Sequence, residues 1–394
     1  MVFRISGHSL RRLLDHPVQR YVDGVLKRGR NSGIRSNAPR LPDFCHHPPT
    51  TARLRYTPAV PKGEYLQYGG QAIIEGVMMR TPRFFSIACR APNGTIVRIT
   101  EPLEKTWIGR QKWLMKPFLR GTFALLDGMT LGLRAMRFAS DIQMDPKHST
   151  EEQLKVAGKP VNEKVQSAAV LGAIIFSLAV GILIFNVMPN ALAETLRARG
   201  VANGTIINYT SEIIKLVIFI GYLWAISKLP DVKEVFRYHG AEHKAINTLE
   251  REQPLEIGTC QAQTRLHPRC GTSFAVIVFI IGFLFLPLVP RYPITGHQGD
   301  PFRDVPVRIL MELCLLPVIA GISYEALRMA GKLRDEKWVN IAFKPGLWTQ
   351  LITTQEPAEK HVEVALAALQ SVVDAEERGS VKVTGIEVLG EATA

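Results

Sequence analysis

Cysteine is scarce in this chain and is not arranged in pairs. The five residues Cys45, Cys89, Cys260, Cys270 and Cys314 form no C-x-x-C motif. An odd, unpaired set argues against a disulfide scaffold and favours a reducing compartment. Nucleotide signatures are missing as well. Without a Walker A run or a G-x-G-x-x-G turn, a kinase reading has no phosphate-binding support. The N-terminus has no apolar run of the secretory type, and the chain shows no internal repeat and no low-complexity tract. Acidic side chains are nearly absent from the first sixty residues, where eleven Lys and Arg stand against three Asp.

That basic stretch carries much of the formal net charge of +13. Residues 1–62 are also rich in proline and contain one short amphipathic run, "ISGHSLRRLLDHPVQ". They read as a disordered basic extension or an organelle transit peptide, dispensable for folding. A basic balance can mean nucleic acid, but a membrane surface or a targeting segment explains it more economically, so no nucleic-acid partner is expected. Hydrophobic residues make up 46% of the chain and charged residues 21%. The first figure is high for a soluble protein and the second high for a polytopic transporter, which points to a mixed molecule.

Residues 63–105 read as β structure. "QAIIEGVMMR" has strand composition, and "FFSIACRAPNGTIVRI" is two strand-like runs around Asn93-Gly94, a strong hairpin signal. Residues 106–150 mix apolar and basic residues at helical spacing, as expected of amphipathic helices at a membrane interface. Residues 151–350 hold the transmembrane domain. Four segments there are apolar enough to span about 30 Å of hydrocarbon: 167–188, 211–228, 273–290 and 305–323. In the second, Lys215 sits near one end, where it can snorkel. The fourth carries Arg308 and Glu312, and an acid at that depth should face protein or water. Lys and Arg concentrate before residue 167, in 229–272 and after 323, which places both termini and the 229–272 connection on the inner side. "PGLWTQLITTQEP" reads as a turn-rich connector. The 351–394 segment supplies a C-terminal helix over 357–377 and a tail. The expected fold is a mixed α+β membrane protein. A small N-terminal β-hairpin region precedes about four transmembrane helices and a helical portion on the cytoplasmic or stromal side.

The chemistry concentrates in "FRYHGAEHKAINTLE". On a helix, His239 and His243 share one face, with Glu242 beside them. His-x-x-Glu-His is the order found in inverted zinc proteases, where two His hold Zn²⁺ and the Glu activates water. A third protein ligand is required, and "TRLHPRCGTSF" offers His267 and Cys270 just before the third span. Both donor types suit a divalent metal, Zn²⁺ or Fe²⁺. The competing interpretation is a pair of interfacial histidines bound only to carbonyls or headgroups. Glu75 interrupts an apolar run, as a ligand, a general base or an edge carboxylate paired with Arg80. Glu325 reads as a ligand or as an i, i+3 partner of Arg328.

Taken together, "GGQAIIEGVMMR", "YHGAEHKAIN", "LHPRCGTSF", "AGISYEALRMAGK" and "PGLWTQLITTQEP" resemble the signature blocks of the YqhQ-like family of bacterial and plastid-type membrane proteins. The resemblance runs from about Gly69 to about Leu369. It implies a domain of unknown function described as a predicted metal-dependent enzyme, and it carries the metal idea onto His239, Glu242, His243, His267 and Cys270. The basic extension fits a plastid-targeted version. Two functional classes follow. One is a membrane-embedded hydrolase whose metal is held by His239 and His243 with His267 or Cys270, and whose water-activating base is Glu242. The other is a non-catalytic scaffold or assembly factor with a structural metal, working with other membrane proteins. A transporter ranks third, because the spans carry almost no charge. The membrane is a plastid membrane in a eukaryote or the plasma membrane in a bacterium.

Overall fold

The computed structural model describes residues 68–103, 119–148, 175–201, 203–294, 301–332, 344–381 and 385–389, with isolated positions between them. The expected basic extension over 1–62 lies outside these residues, as does the start of the 106–150 segment.

The β region is a five-stranded antiparallel sheet in the order β1-β2-β3-β4-β5. Its strands are β1 (Gly69–Ile73), β2 (Gly76–Arg80), β3 (Phe84–Arg90), β4 (Ile96–Pro102) and β5 (Ile386–Leu389). The run "QAIIEGVMMR" is therefore two strands, folded back at Ile74 and Glu75, with Glu75 at φ 48°. The Asn93-Gly94 hairpin forms as read. Gly94 takes φ 88°, and the Asn93 side chain accepts the Thr95 N–H at 3.1 Å. The fifth strand, missing from the sequence reading, comes from the C-terminal tail and pairs with β4 through Ile96–Leu389 and Ile99–Ile386.

Side chains alternate across the sheet with a period of two. Val77, Met79, Phe84 and Ala88 face a core shared with Tyr238, Ala241, Ala245, Val362, Ala365 and Leu369. Met78, Phe85, Ile87 and Cys89 face a second core with Leu131, Ala135, Ala139 and Ile142. The first core is closed by α4 (Pro230–Glu250) and α9 (Glu359–Arg378), the second by α1 (Leu119–Met144). Cover on both faces explains why β2 and β3 read as continuous apolar runs.

Four helices are long and apolar enough to cross a membrane: Ile175–Leu196, Gly204–Ile226, Gly271–Leu288 and Pro306–Met329. They match the four expected segments, with shifted ends that have local causes. The first continues past Pro189 into α2 (Met188–Ala198), because the preceding turn, Leu183–Val187, is a π-helix. Widening that turn accommodates the N–H that proline lacks. The second, α3 (Gly204–Ile226), starts seven residues early because the Asn203 side chain caps it, accepting the N–H groups of Thr205 and Ile206. The third is α6 (Gly271–Phe285) with a closing 3₁₀ turn, and the fourth lies in α7 (Pro301–Lys332).

The connection 229–272 is folded. It holds α4, which begins with Pro230 in its first turn, and the short α5 (Ile257–Gln261). The expected connector "PGLWTQLITTQEP" is mostly a helix, α8 (Lys344–Thr353). Tertiary contacts override its turn composition: the Gln350 amide donates to His267 O and to Ser273 Oγ, both at 2.7 Å.

Chain direction sets two ends to the span bundle. α3 ends and α6 begins beside α4, whereas residues 194–201, 203–204, 288–294 and 301–308 lie at the other end. A cysteine placed at exposed Arg251 and one at exposed Ile294, in a Cys45→Ser/Cys314→Ser background, are expected to label from opposite sides of sealed vesicles. Labelling of both from one side would contradict this topology.

Candidate metal centre

Helix α4 has no basic side chain in its last turn and draws its stability from burial. Every residue from Gly240 to Leu249 is buried. His239 and His243 project from one face, four residues apart, with ring centroids separated by 4.4 Å. Cys270 meets them from the N-cap of α6, where its sulfur accepts from Thr272 N–H at 3.4 Å and lies 3.2 Å from Thr272 Oγ1. One donor atom each from His239, His243 and Cys270 can be chosen so that all lie within 4.8 Å of one another. His239 Nε2 is 3.1 Å from Cys270 Sγ.

The far side of each imidazole is pinned. His239 Nδ1 lies 2.9 Å from Thr353 O, and His243 Nδ1 lies 2.6 Å from Arg265 O. A carbonyl can only accept, so each Nδ1 carries the proton and each Nε2 keeps its lone pair towards the cysteine. That is the arrangement that orients metal-binding histidines. Burial holds the His243 imidazole below its ordinary pKa, against the opposing pull of Cys270, which keeps the ring neutral. Two soft-to-borderline nitrogens and one sulfur suit Zn²⁺.

His267 stands beside this cluster, its ring centroid 5.7 Å from that of His243. Its Nε2 is 3.1 Å from Glu250 Oε1, and its backbone N–H donates to Gln350 Oε1 at 2.8 Å. Burial lowers its pKa to about 4, with Glu242 opposing. The turn at Pro268 thus delivers Cys270 to the two histidines and commits the Nε2 of His267 to Glu250.

Glu242 lies on α4 between the two histidines and is 6% exposed. Burial raises its pKa; the nearby His239 and His267 and a hydrogen bond from the Gly70 N–H oppose the rise. Gly70 was not singled out from the sequence. A Cβ there would sit 2.7 Å from Met78 O and 2.9 Å from Glu242 Cγ, so glycine is what lets β1 approach the carboxylate. The paired glycines of "YGGQAI" were the available signal.

Two other acids take partners other than those expected. Glu75 accepts from Tyr238 Oη at 3.2 Å, and Arg80 instead pairs with Asp127. Glu325 forms a two-pronged ion pair with Arg120 of α1, both contacts at 2.6 Å. Lys215 does not snorkel. It is 6% exposed and meets Glu212 at 2.8 Å and Glu312 at 3.3 Å. The spans therefore hold buried charge, contrary to the expectation from sequence.

Residues 116–375 match the family described as "Protein of unknown function (DUF1385)". The chain belongs to the DUF1385 family. All three clustered residues, together with Glu242 and His267, fall inside the matched region. A relative in Bacillus subtilis (strain 168), "Uncharacterized protein YqhQ", is 34% identical over 311 residues, covering 78% of this chain and 92% of the relative. The YqhQ-like resemblance read from the signature blocks is thus shown. No solved structure matches. This DUF1385 protein is an integral membrane protein with a His/His/Cys cluster at one end of its span bundle.

Proposed function

We propose that this protein is a metal-dependent enzyme of the hydrolase type, working at the inner membrane face. The observation that carries the proposal is the orientation of His239 and His243, each with Nδ1–H on a carbonyl and Nε2 facing Cys270. Those three residues would hold a divalent ion, Zn²⁺ by donor chemistry, leaving His267 as a neighbour bound to Glu250. When bound, such an ion supplies a Lewis acid that makes a water nucleophilic near neutral pH. Glu242 would hold the proton given up at the site. Its burial favours the protonated carboxyl, and the Gly70 N–H fixes its orientation.

Three protein donors are the number usual for catalytic zinc, whereas structural zinc is closed by four. The burial of His243 and Cys270 favours the second reading, a scaffold or assembly factor with a structural metal. The membrane would be a plasma membrane in a bacterium. In a eukaryote it would be a plastid membrane, addressed by the Arg-rich residues 1–62.

Metal analysis of the detergent-purified protein tests the proposal. About one equivalent of Zn²⁺ is expected for the wild type, with at least a tenfold loss of affinity in His243→Ala and Cys270→Ala. Equal metal content in all three would overturn it. In the Co²⁺-substituted protein, an absorption spectrum that shifts with added azide would indicate an open position and support the enzyme. An unresponsive spectrum would support the scaffold.

A further inference from the structure

The end of the span bundle remote from the His/Cys cluster carries a buried polar network. Arg308 of α7 donates to Glu312 Oε1 at 2.8 Å and to Asn208 Oδ1 at 2.6 Å. Arg291, just beyond α6, reaches the same Asn208 oxygen at 3.3 Å. Asn208 cannot turn away, because its amide donates to Pro287 O and Val289 O at 2.9 and 3.0 Å. Two guanidinium groups are thereby drawn to one neutral oxygen.

Three cations, Arg308, Arg291 and Lys215, stand here among four carboxylates. Glu312 also accepts from Lys215 and from Asn186 of the π-helical turn. Glu212 pairs with Lys215, and the buried Asp304 carboxylate, one turn before Arg308, accepts the Ile294 N–H. Arg291 is held by Glu194 at 2.8 Å and by the Asn190 carbonyl and side-chain oxygens at 2.9 and 3.1 Å, and Tyr292 also donates to Glu194. The Glu194 side chain is 34% exposed, whereas that of Arg291 is only 6% exposed. Arg308 is 4% exposed, and its second terminal nitrogen, Nη2, has no hydrogen-bond partner among the described residues. A buried guanidinium N–H without an acceptor is costly and points to an oxygen supplied from elsewhere.

Depth narrows the sources of such an oxygen. Arg308 is the third residue of the span Pro306–Met329, Asn208 the fifth of Gly204–Ile226, and Glu194 the third from the end of Ile175–Leu196. At 1.5 Å per residue, all lie within about 6 Å of the ends of their spans. That is within about one helical turn of the hydrocarbon boundary, next to the phosphate layer of that leaflet. Guanidinium groups bind phosphate through paired N–H donors, and ionisable groups at membrane depth mark ligand sites by default.

We propose that Arg308 and Arg291, organised around Asn208, form a binding site for the phosphate of an anionic phospholipid headgroup in the leaflet remote from the His/Cys cluster. The phosphate takes the place of the Glu194 carboxylate on Arg291 and accepts from Nη2 of Arg308. Free phosphate shares this chemistry and is the other source.

The full chain in detergent, with phosphatidylglycerol, phosphatidylcholine or inorganic phosphate added, tests this by thermal unfolding. Phosphatidylglycerol is expected to raise the midpoint by several degrees in a concentration-dependent way, and phosphatidylcholine to do so at least tenfold less potently. A matching response to inorganic phosphate alone would support the site and assign it to the free anion. The charge-balanced double variant Arg308→Gln/Glu312→Gln is expected to lose the phosphatidylglycerol response. Glu194→Gln, at the rim, is expected to tighten binding by removing the competing carboxylate. Equal responses to both lipids, no response to any addition, or an unchanged response in Glu194→Gln would each overturn the proposal. In those cases the network only locks the helices together.

Discussion

Gly240→Ala is expected to abolish the His/His/Cys cluster and to destabilise the protein. The added Cβ would lie 2.2 Å from Gln355 O and 3.4 Å from Pro357 Cδ. Retreat is blocked, because Gln355 N–H donates to Phe236 O of the same helix at 2.9 Å. Overpacking in a buried site costs about 1–3 kcal/mol when side chains can shift, and backbone against backbone lies at or above the top of that range. The damage also spreads to the cluster. Thr353, whose carbonyl fixes the tautomer of His239, lies two residues from Gln355. Moving that segment frees the imidazole to rotate. Thermal unfolding and metal content should fall together. A variant that melts with the wild type and retains its metal would show that the 353–357 segment yields freely.

The second large effect is expected at Glu312. Its carboxylate joins Lys215 and Arg308, and all three side chains are less than a tenth exposed. Glu312→Gln keeps the shape but leaves Arg308 without its counter-ion. Breaking a buried ion pair by removing one partner costs on the order of 3–5 kcal/mol. Removing both charges avoids that penalty, so Arg308→Gln/Glu312→Gln should recover most of the loss, and Lys215 keeps Glu212. A denaturation series on the two single variants and the double measures the coupling. Additive losses would mean that the pair contributes nothing beyond its separate contacts.

The legible parts of this molecule were those governed by local periodicity. The i, i+4 spacing of His239 and His243 sets their shared face, and the length of uncharged runs sets the spans. The Asn93-Gly94 turn needs a positive φ that its sequence provides. Cys270 could be named as a returning donor because it directly precedes a span. Partners across the fold were another matter. Nothing near residue 242 says that the Gly70 N–H meets Glu242. Hydropathy brings Lys215 to the surface with Glu212, three residues away, and does not show that Glu312, 97 residues away in sequence, keeps it buried. His267 and Cys270 are both plausible donors in one dimension, and only the turn at Pro268 separates their directions. Strand β5 is four residues long, too short for its alternation to stand out from a tail.

That last strand has a consequence for how the chain is made. Arg98 of β4 and Glu387 of β5 pair across 289 residues of sequence. The first four strands emerge early in translation, and all four spans must then be inserted before the strand that completes the sheet is synthesised. Until then β4 is an open edge, ready to pair with any other extended chain. Pairings of such long separation form slowly. A ribosome stalled before residue 386 therefore exposes a sheet edge beside the membrane, and a fusion that constrains the C-terminus would leave that edge open in the mature protein.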